Sequence, residues 1–294
     1  MHSENPYRER YDLKKYSKAY SLLGKHIVLS PSSQQTVNFS DSTAVYALNK
    51  AILLSDFKLD DYNLPKGYLI PPIPGRIDYL LNLQDFLLGK FNIEKGKKLR
   101  GLDIGTGANG IYCILGTQHF NWSMIGAECK ISAVKIAKEN IQMTNGLKDK
   151  IEIRHQENKS FLFKNIINKK EQFDFSICNP PFHSSKAQAI KGSLKKQSNL
   201  GNSVDRNNYL LNFEGQANEL WCNGGETLFI KRLIKESVGF KSQVKIFSSL
   251  VSKKDTLIII EKYLKKEKAN HYIIPMDIGN KKSRILVWWF EMNL

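Results

Sequence analysis

Residues 99–110 read LRGLDIGTGANG (Leu99–Gly110). Leu99–Ile104 has the length and apolar character of a short strand. Gly105, Gly107 and Gly110 follow it in G-x-G-x-x-G spacing, and Ile111–Gln118 reads as a short helix. Glycine lets a backbone turn sharply and come close to a ligand. Alone, this strand–turn–helix fits any nucleotide site of that build, and also a glycine-rich turn that binds nothing.

Outward from this turn the chain alternates strand and helix. Strands are expected at Ser123–Glu128, Ile151–His155, Phe173–Cys178, Glu226–Ile230 and Gln243–Leu250. Helices are expected at Ile131–Thr144, Ser160–Ile167, Glu214–Trp221, Leu233–Phe240 and Lys254–Lys265. Such alternation builds an α/β fold with a parallel sheet and right-handed crossovers. His271–Pro275 and Arg284–Phe290 lack an intervening helix and read as an antiparallel hairpin at one edge. Upstream the rhythm is different. Tyr11–Tyr20 and Ser42–Ser55 look helical, the second capped by Asp41 or Ser42. In GYLIPPIPGR (Gly67–Arg76) the prolines forbid a central strand or helix, and Ile77–Leu88 resumes as a helix. The expected division is therefore a helical N-terminal extension over 1–90 and an α/β domain over 91–294.

Composition bounds the function. The chain has 294 residues, 44 Lys+Arg against 28 Asp+Glu, and a formal net charge of +16. It can bury a large core and is too apolar to be disordered. Its longest apolar runs, Leu257–Ile260 and Ile285–Phe290, are strand-sized, well short of the roughly 20 residues a membrane-spanning helix needs. The N-terminus lacks the apolar stretch of a secretory signal, so a cytosolic location is expected. Cys113, Cys129, Cys178 and Cys222 have no CxxC spacing and read as buried free thiols. The six histidines have no ligand spacing, so no metal is expected. A basic excess of this size points to nucleic acid or another anionic surface. Between Phe182 and Asn212, Lys186, Lys191, Lys195, Lys196 and Arg206 face one acid, Asp205, and residues 192–212 read as a long basic loop.

Two side chains refine the glycine turn. Glu128 ends the next strand, 25 residues after Asp103, where a carboxylate can accept both hydroxyls of an adenosine ribose. Asp103, directly before the glycines, suits an ammonium group better than a diphosphate. That favours S-adenosylmethionine over a nicotinamide dinucleotide, whose pyrophosphate wants a helix N-terminus, without deciding between them. The tetrapeptide Asn179-Pro180-Pro181-Phe182 ends the Phe173–Cys178 strand at the same sheet edge. The exocyclic amine of adenine is a poor nucleophile because its lone pair is delocalised into the ring. The Asn179 side-chain oxygen and the Pro180 carbonyl can accept its two N–H bonds and turn the lone pair toward a methyl donor. Paired prolines preorganise the acceptors, and Phe182 can stack on the base. The same acceptor geometry suits a protein glutamine amide. Asparagine takes no proton at neutral pH, so catalysis would be positioning rather than general base chemistry.

The segments GYLIPPIPGRIDYL (67–80), LDIGTGANGIY (102–112), CNPPFHSS (178–185), NFEGQANELWCNGGE (212–226) and SSLVSKK (248–254) together resemble the bacterial 23S ribosomal RNA adenine-N6 methyltransferases. These are related to eukaryotic enzymes that methylate U6 small nuclear RNA and messenger RNA hairpins. The resemblance covers nearly the whole chain. It implies a Rossmann-like class I methyltransferase with a mostly parallel seven-stranded sheet ending in an antiparallel hairpin. It also implies S-adenosylmethionine as cofactor, and as partner 23S RNA or a large-subunit assembly intermediate; a monomer is expected. By resemblance, Arg76, Gly105, Glu128, Ser160 and Asn179 contact the cofactor, beside Asp103 and Gly107 already noted. The aromatic at Phe182 packs on the target adenine, and the arm carrying Arg8, Arg10 and Lys14 holds RNA.

Overall fold

A computed structural model of the chain describes residues 1–94, 96–181, 222, 224–278 and 281–291. Phe182, the 192–212 loop with its neighbouring basic residues Lys186, Lys191, Lys195, Lys196 and Arg206, and the expected Glu214–Trp221 helix lie outside them.

Seven strands form the main sheet: β3 (Arg100–Ile104), β4 (Ser123–Glu128), β5 (Ile151–His155), β6 (Phe173–Cys178), β7 (Val244–Val251), β8 (Asn270–Ile278) and β9 (Lys281–Trp289). Their order is β5-β4-β3-β6-β7-β9-β8. The first five of that order pair in parallel; β9 runs antiparallel to both β7 and β8. The register places Asp103 beside Gly126 of β4 and Ile177 of β6. Gly126 must be small: a Cβ there would sit 2.7 Å from Ile153 Cδ1 and 2.9 Å from Thr106 Oγ1. Its absence lets the turn after β3 lie on β4.

The N-terminal region holds α1 (Leu13–Ala19), a short hairpin of β1 (Ile27–Leu29) and β2 (Gln35–Val37), α2 (Ser42–Asp56) and α3 (Ile73–Phe91). Asp41 caps α2, its carboxylate accepting the Thr43 N–H at 2.8 Å. α3, α4 (Ile111–Phe120) and α5 (Ile131–Gln142) belong to one apolar cluster. α6 (Gly225–Ser237) and α7 (Lys254–Lys266) belong to a second one. The first cluster is continuous from Tyr7, Leu13 and Leu48 through Ile77 and Leu83 to Ile114, Phe175 and Ile246. Ile73, Ile77, Leu80 and Leu83 of α3 are fully buried, each contributing about 1.5–3 kcal/mol over an exposed position. Buried hydroxyls link the layers. The Tyr79 hydroxyl donates to Ser248 Oγ at 2.9 Å, and Ser248 donates to the Ser176 carbonyl at 2.7 Å, tying α3 through β7 to β6.

Four segments differ from the sequence reading. The Gly67–Arg76 stretch is not free of helix: α3 begins at Ile73, because Pro74 falls in the first turn, where its missing N–H has no helical acceptor anyway. Ser160–Ile167 is a run of turns, not a helix. Glu226–Ile230 is not a strand: Gly224, at φ 78°, starts α6, which buries Ile230, Leu233 and Ile234 at helical spacing. The β1–β2 hairpin was not anticipated; its strands are three residues each, too short for alternation to register.

Candidate active site

β3, β4 and β6 are parallel neighbours, so their carboxyl ends lie on one edge, where open α/β sheets bind ligands. After β3, Gly105 and Gly107 take φ of 77° and 65°, left-handed values that any other residue adopts at a penalty. The Gly105 and Thr106 N–H groups both donate to the Ala127 carbonyl, at 2.9 and 3.0 Å. The turn is thereby fastened onto the end of β4.

Glu128 locks the same turn with its side chain. One carboxylate oxygen accepts the Gly107 N–H at 3.1 Å and the other accepts the Lys130 N–H at 2.8 Å. Each oxygen keeps lone-pair capacity for a further donor. Asp103 is in the opposite condition. It is 1% exposed and neither carboxylate oxygen has a hydrogen-bond partner. Burial pushes its acid up to about 7; Glu128 adds to the rise, while the nearby Thr106 hydroxyl and Arg76 guanidinium oppose it. Such a group is an unmet acceptor for a cation. Asn179 Oδ1 is likewise buried without a partner. Buried orphan acceptors are rare in folded chains, and two within one sheet edge mark a place for donors from a ligand.

A cavity of about 390 Å³ opens along this edge. Arg76, Gly105, Gly107, Glu128, Asn179 and Pro181 line it. Asp103 does not line it, although the next residue, Ile104, does. Pro180 is buried and also absent from the wall. Ser160 is exposed and off the wall, while Lys159 and Phe161 on either side of it are on the wall. Arg8, Arg10 and Lys14 are exposed on the N-terminal region. The chain on either side of them is tied down: Tyr7 and Tyr16 donate to Asp56 at 3.1 and 2.8 Å, and Asn5 Nδ2 donates to Asp78 at 2.9 Å.

Several wall residues were missed from sequence. Tyr112 follows the glycine turn by two positions and could have been found from that register. Gln156, Phe161 and Leu162 follow β5, the strand next to Glu128. Arg232 comes from α6 and fell between the strand expected at Glu226–Ile230 and the helix expected at Leu233–Phe240. Cys129, Cys178 and Cys222 also line the cavity as free thiols. Burial is the main reason all three are held above the usual thiol range, Cys129 at about 11. Among the described residues no cluster of His, Cys, Asp and Glu could hold a metal ion, and no helix is long and apolar enough to cross a membrane.

A glycine turn pinned by a strand-end carboxylate, beside a stiff Asn-Pro-Pro turn with an unpaired amide oxygen, defines an S-adenosylmethionine-dependent methyltransferase. The chain belongs to the RNA methyltransferase family, whose model matches residues 1–292. It is 47% identical to the ribosomal RNA large subunit methyltransferase F of Christiangramia forsetii, covering 99% of this chain and 100% of that one. It is 43% identical to the protein of that name from Flavobacterium johnsoniae, over 100% and 94% of the two chains. Among solved structures, the catalytic domain of human METTL16 in complex with the MAT2A 3′UTR hairpin 6 superposes with a TM-score of 0.80. The two are 26% identical, with coverage of 100% and 98%. The N-terminal domain of human METTL16 in complex with SAH gives 0.78 at 26% identity, over 99% of each chain.

Proposed function

We propose that this RNA methyltransferase transfers the methyl group of S-adenosylmethionine to the N6 amine of one adenine in 23S ribosomal RNA. The observation that carries the reading is the buried, unpartnered Asn179 Oδ1 at the end of β6. The names of the curated relatives supply the large-subunit RNA, and the SAH-bound neighbour favours S-adenosylmethionine over a dinucleotide.

The residues fit that cofactor. Asp103 offers an unmet acceptor to the ammonium of its methionine end, Arg76 a guanidinium to its carboxylate, and Glu128 a carboxylate to its ribose hydroxyls. Gly105 and Gly107 let the backbone come close to it. When bound, the cofactor supplies an electrophilic methyl group on a sulfonium. Asn179 Oδ1 and the Pro180 carbonyl would then hold the two N–H bonds of the target amine, and Pro181 would stiffen the turn that carries them. Phe182 would stack on the base. The proton leaves to water after transfer, since asparagine holds none.

In this reading residues 1–90 are the RNA-holding extension and 91–294 the transfer domain, with the basic 192–212 loop inserted. Arg8, Arg10, Lys14, Lys186, Lys191, Lys195, Lys196 and Arg206 contact phosphates, and binding weakens steeply with salt. The enzyme works as a cytosolic monomer on free RNA or an assembly intermediate. The target base must be splayed out to reach the turn, at roughly a few kcal/mol that phosphate contacts offset.

The test uses large-subunit RNA from cells lacking the gene, incubated with the protein and methyl-labelled S-adenosylmethionine and digested to nucleosides. Labelled N6-methyladenosine is expected. Label in a protein glutamine and none in RNA would overturn the reading.

A further inference from the structure

The loop after β5 forms part of the cavity wall through Lys159, Phe161 and Leu162. It has no helical or strand ladder of its own. Its backbone is held instead by two side chains of α6. Glu236 accepts the N–H groups of three consecutive residues: Leu162 at 2.8 Å on one carboxylate oxygen, Phe163 at 2.9 Å and Lys164 at 2.8 Å on the other. One turn earlier, Arg232 donates to the Lys159 carbonyl at 2.9 Å. Leu162 and Phe163 are buried, so water does not readily replace the carboxylate. Bonds to an ionised acceptor are the stronger kind.

The sheet order gives this loop a function. β5 lies beside β4, on the side away from β3 and β6. A cofactor with its ribose at Glu128 and its methionine end toward Arg76 would have its purine on the β5 side, where Phe161 and Leu162 line the cavity. We propose that Glu236 is a positioning residue for cofactor binding. Off the cavity wall, it fixes from behind the loop that receives the purine, and so sets cofactor affinity. This rests on the functional reading above.

The loop keeps other anchors: Gln156 Nε2 donates to the Lys164 carbonyl at 2.7 Å, and the Phe163 ring packs 5.5 Å from that of Phe247. Removing Glu236 therefore loosens the wall without unfolding it. The experiment measures S-adenosylhomocysteine binding by calorimetry, together with steady-state kinetics, for wild type, E236A and E236Q. E236A is expected to weaken S-adenosylhomocysteine binding and raise KM for S-adenosylmethionine by about tenfold, the scale of one lost charge-assisted bond. kcat at saturating cofactor and KM for RNA stay at wild-type values. E236Q, which keeps one acceptor oxygen, falls between. Hydrogen exchange of residues 162–164 in the free protein quickens in E236A. Wild-type affinity in both variants, or a fall in kcat with KM unmoved, overturns the role of Glu236. Failure of the wild-type protein itself to bind S-adenosylhomocysteine overturns the functional reading instead.

Discussion

The Arg76 guanidinium stands 5.4 Å over the Tyr112 ring, and its Nη1 donates to the Tyr112 hydroxyl at 3.4 Å. The two come from the first turns of α3 and α4, so the contact joins the N-terminal region to the helix that follows β3. Burial pushes the Tyr112 hydroxyl up to about 12, with Arg76 pulling it back. Tyr112 therefore stays neutral at working pH and orients a cation it does not neutralise. Arg76→Lys keeps the charge but loses the planar fork and the stacking surface. It is expected to weaken S-adenosylhomocysteine binding by about tenfold to a hundredfold, the range of one to two strong polar contacts. Calorimetry checks this, with circular dichroism expected to be unchanged.

Asp103 predicts a pH dependence. Its folded-state value of about 7 lies above its ordinary 3.8, so folding favours the neutral acid. Stability from this group is present below pH 3.8 and is lost as pH rises through 7. A bound ammonium reverses the preference, so cofactor binding releases a proton below pH 7 and tightens as pH rises toward it. Asp103→Asn is expected to raise the melting temperature of the free protein near pH 8 while weakening binding and removing the proton release. Calorimetry in buffers of different ionisation enthalpy measures the release directly; an unchanged proton count in Asp103→Asn would refute the assignment.

Asn179→Ala removes the orphan acceptor and nothing that holds the fold. Transfer should fall below detection while affinity for RNA stays within about twofold, because phosphate contacts dominate RNA binding. A large loss of RNA affinity, read by filter binding, would move Asn179 out of its catalytic role.

Glu171 accepts from both Arg100 and Arg154 at the edge of the sheet opposite the cavity, with Arg154 Nη1 at 2.7 Å. The Arg154 hydrogen bond is the largest influence lowering its acid, and backbone and Arg100 bonds also act, to about 2 from an ordinary 4.5. That stability is present above pH 4.5 and is lost as pH falls toward 2. Glu171→Gln should lower the melting temperature at neutral pH, flatten the acid limb of the stability curve and leave KM for the cofactor unchanged. Scanning calorimetry from pH 3 to 7 tests all but the last.

The double substitution Lys195→Ala plus Lys196→Ala should weaken RNA binding and reduce its salt slope by up to about two phosphate equivalents. An unchanged slope would take the 192–212 loop off the RNA path.

What was readable in the sequence is what local patterning controls. The bounds of β4, β5 and β6 are those read from their apolar runs, and each ends where the site begins. The glycine turn, Glu128 and Asn179 were legible because turn chemistry and strand ends fix them within a few residues. The 160–167 segment was not, since its turns are held by Glu236 from a distant helix, an interaction with no local signature. Glu226–Ile230 misled because Thr-Leu-Phe-Ile is a favourable strand sequence, overridden here by the apolar face that α6 continues through Leu233 and Ile234. Asp103 was legible as a polar residue in a strand; that burial leaves it without a partner appears only once the fold closes over it.

β9 is enclosed on both sides, by β7 and β8, and its Trp288 ring lies stacked 5.7 Å from Phe247 of β7. It is also the last of the seven strands to leave the ribosome. During synthesis the half of the sheet beyond β6 stays open at β7 until residues 281–289 emerge. Until β9 pairs, the outer edge of β7 is an unpaired row of N–H and C=O groups, a template for another strand, so one late segment of the chain closes off that hazard.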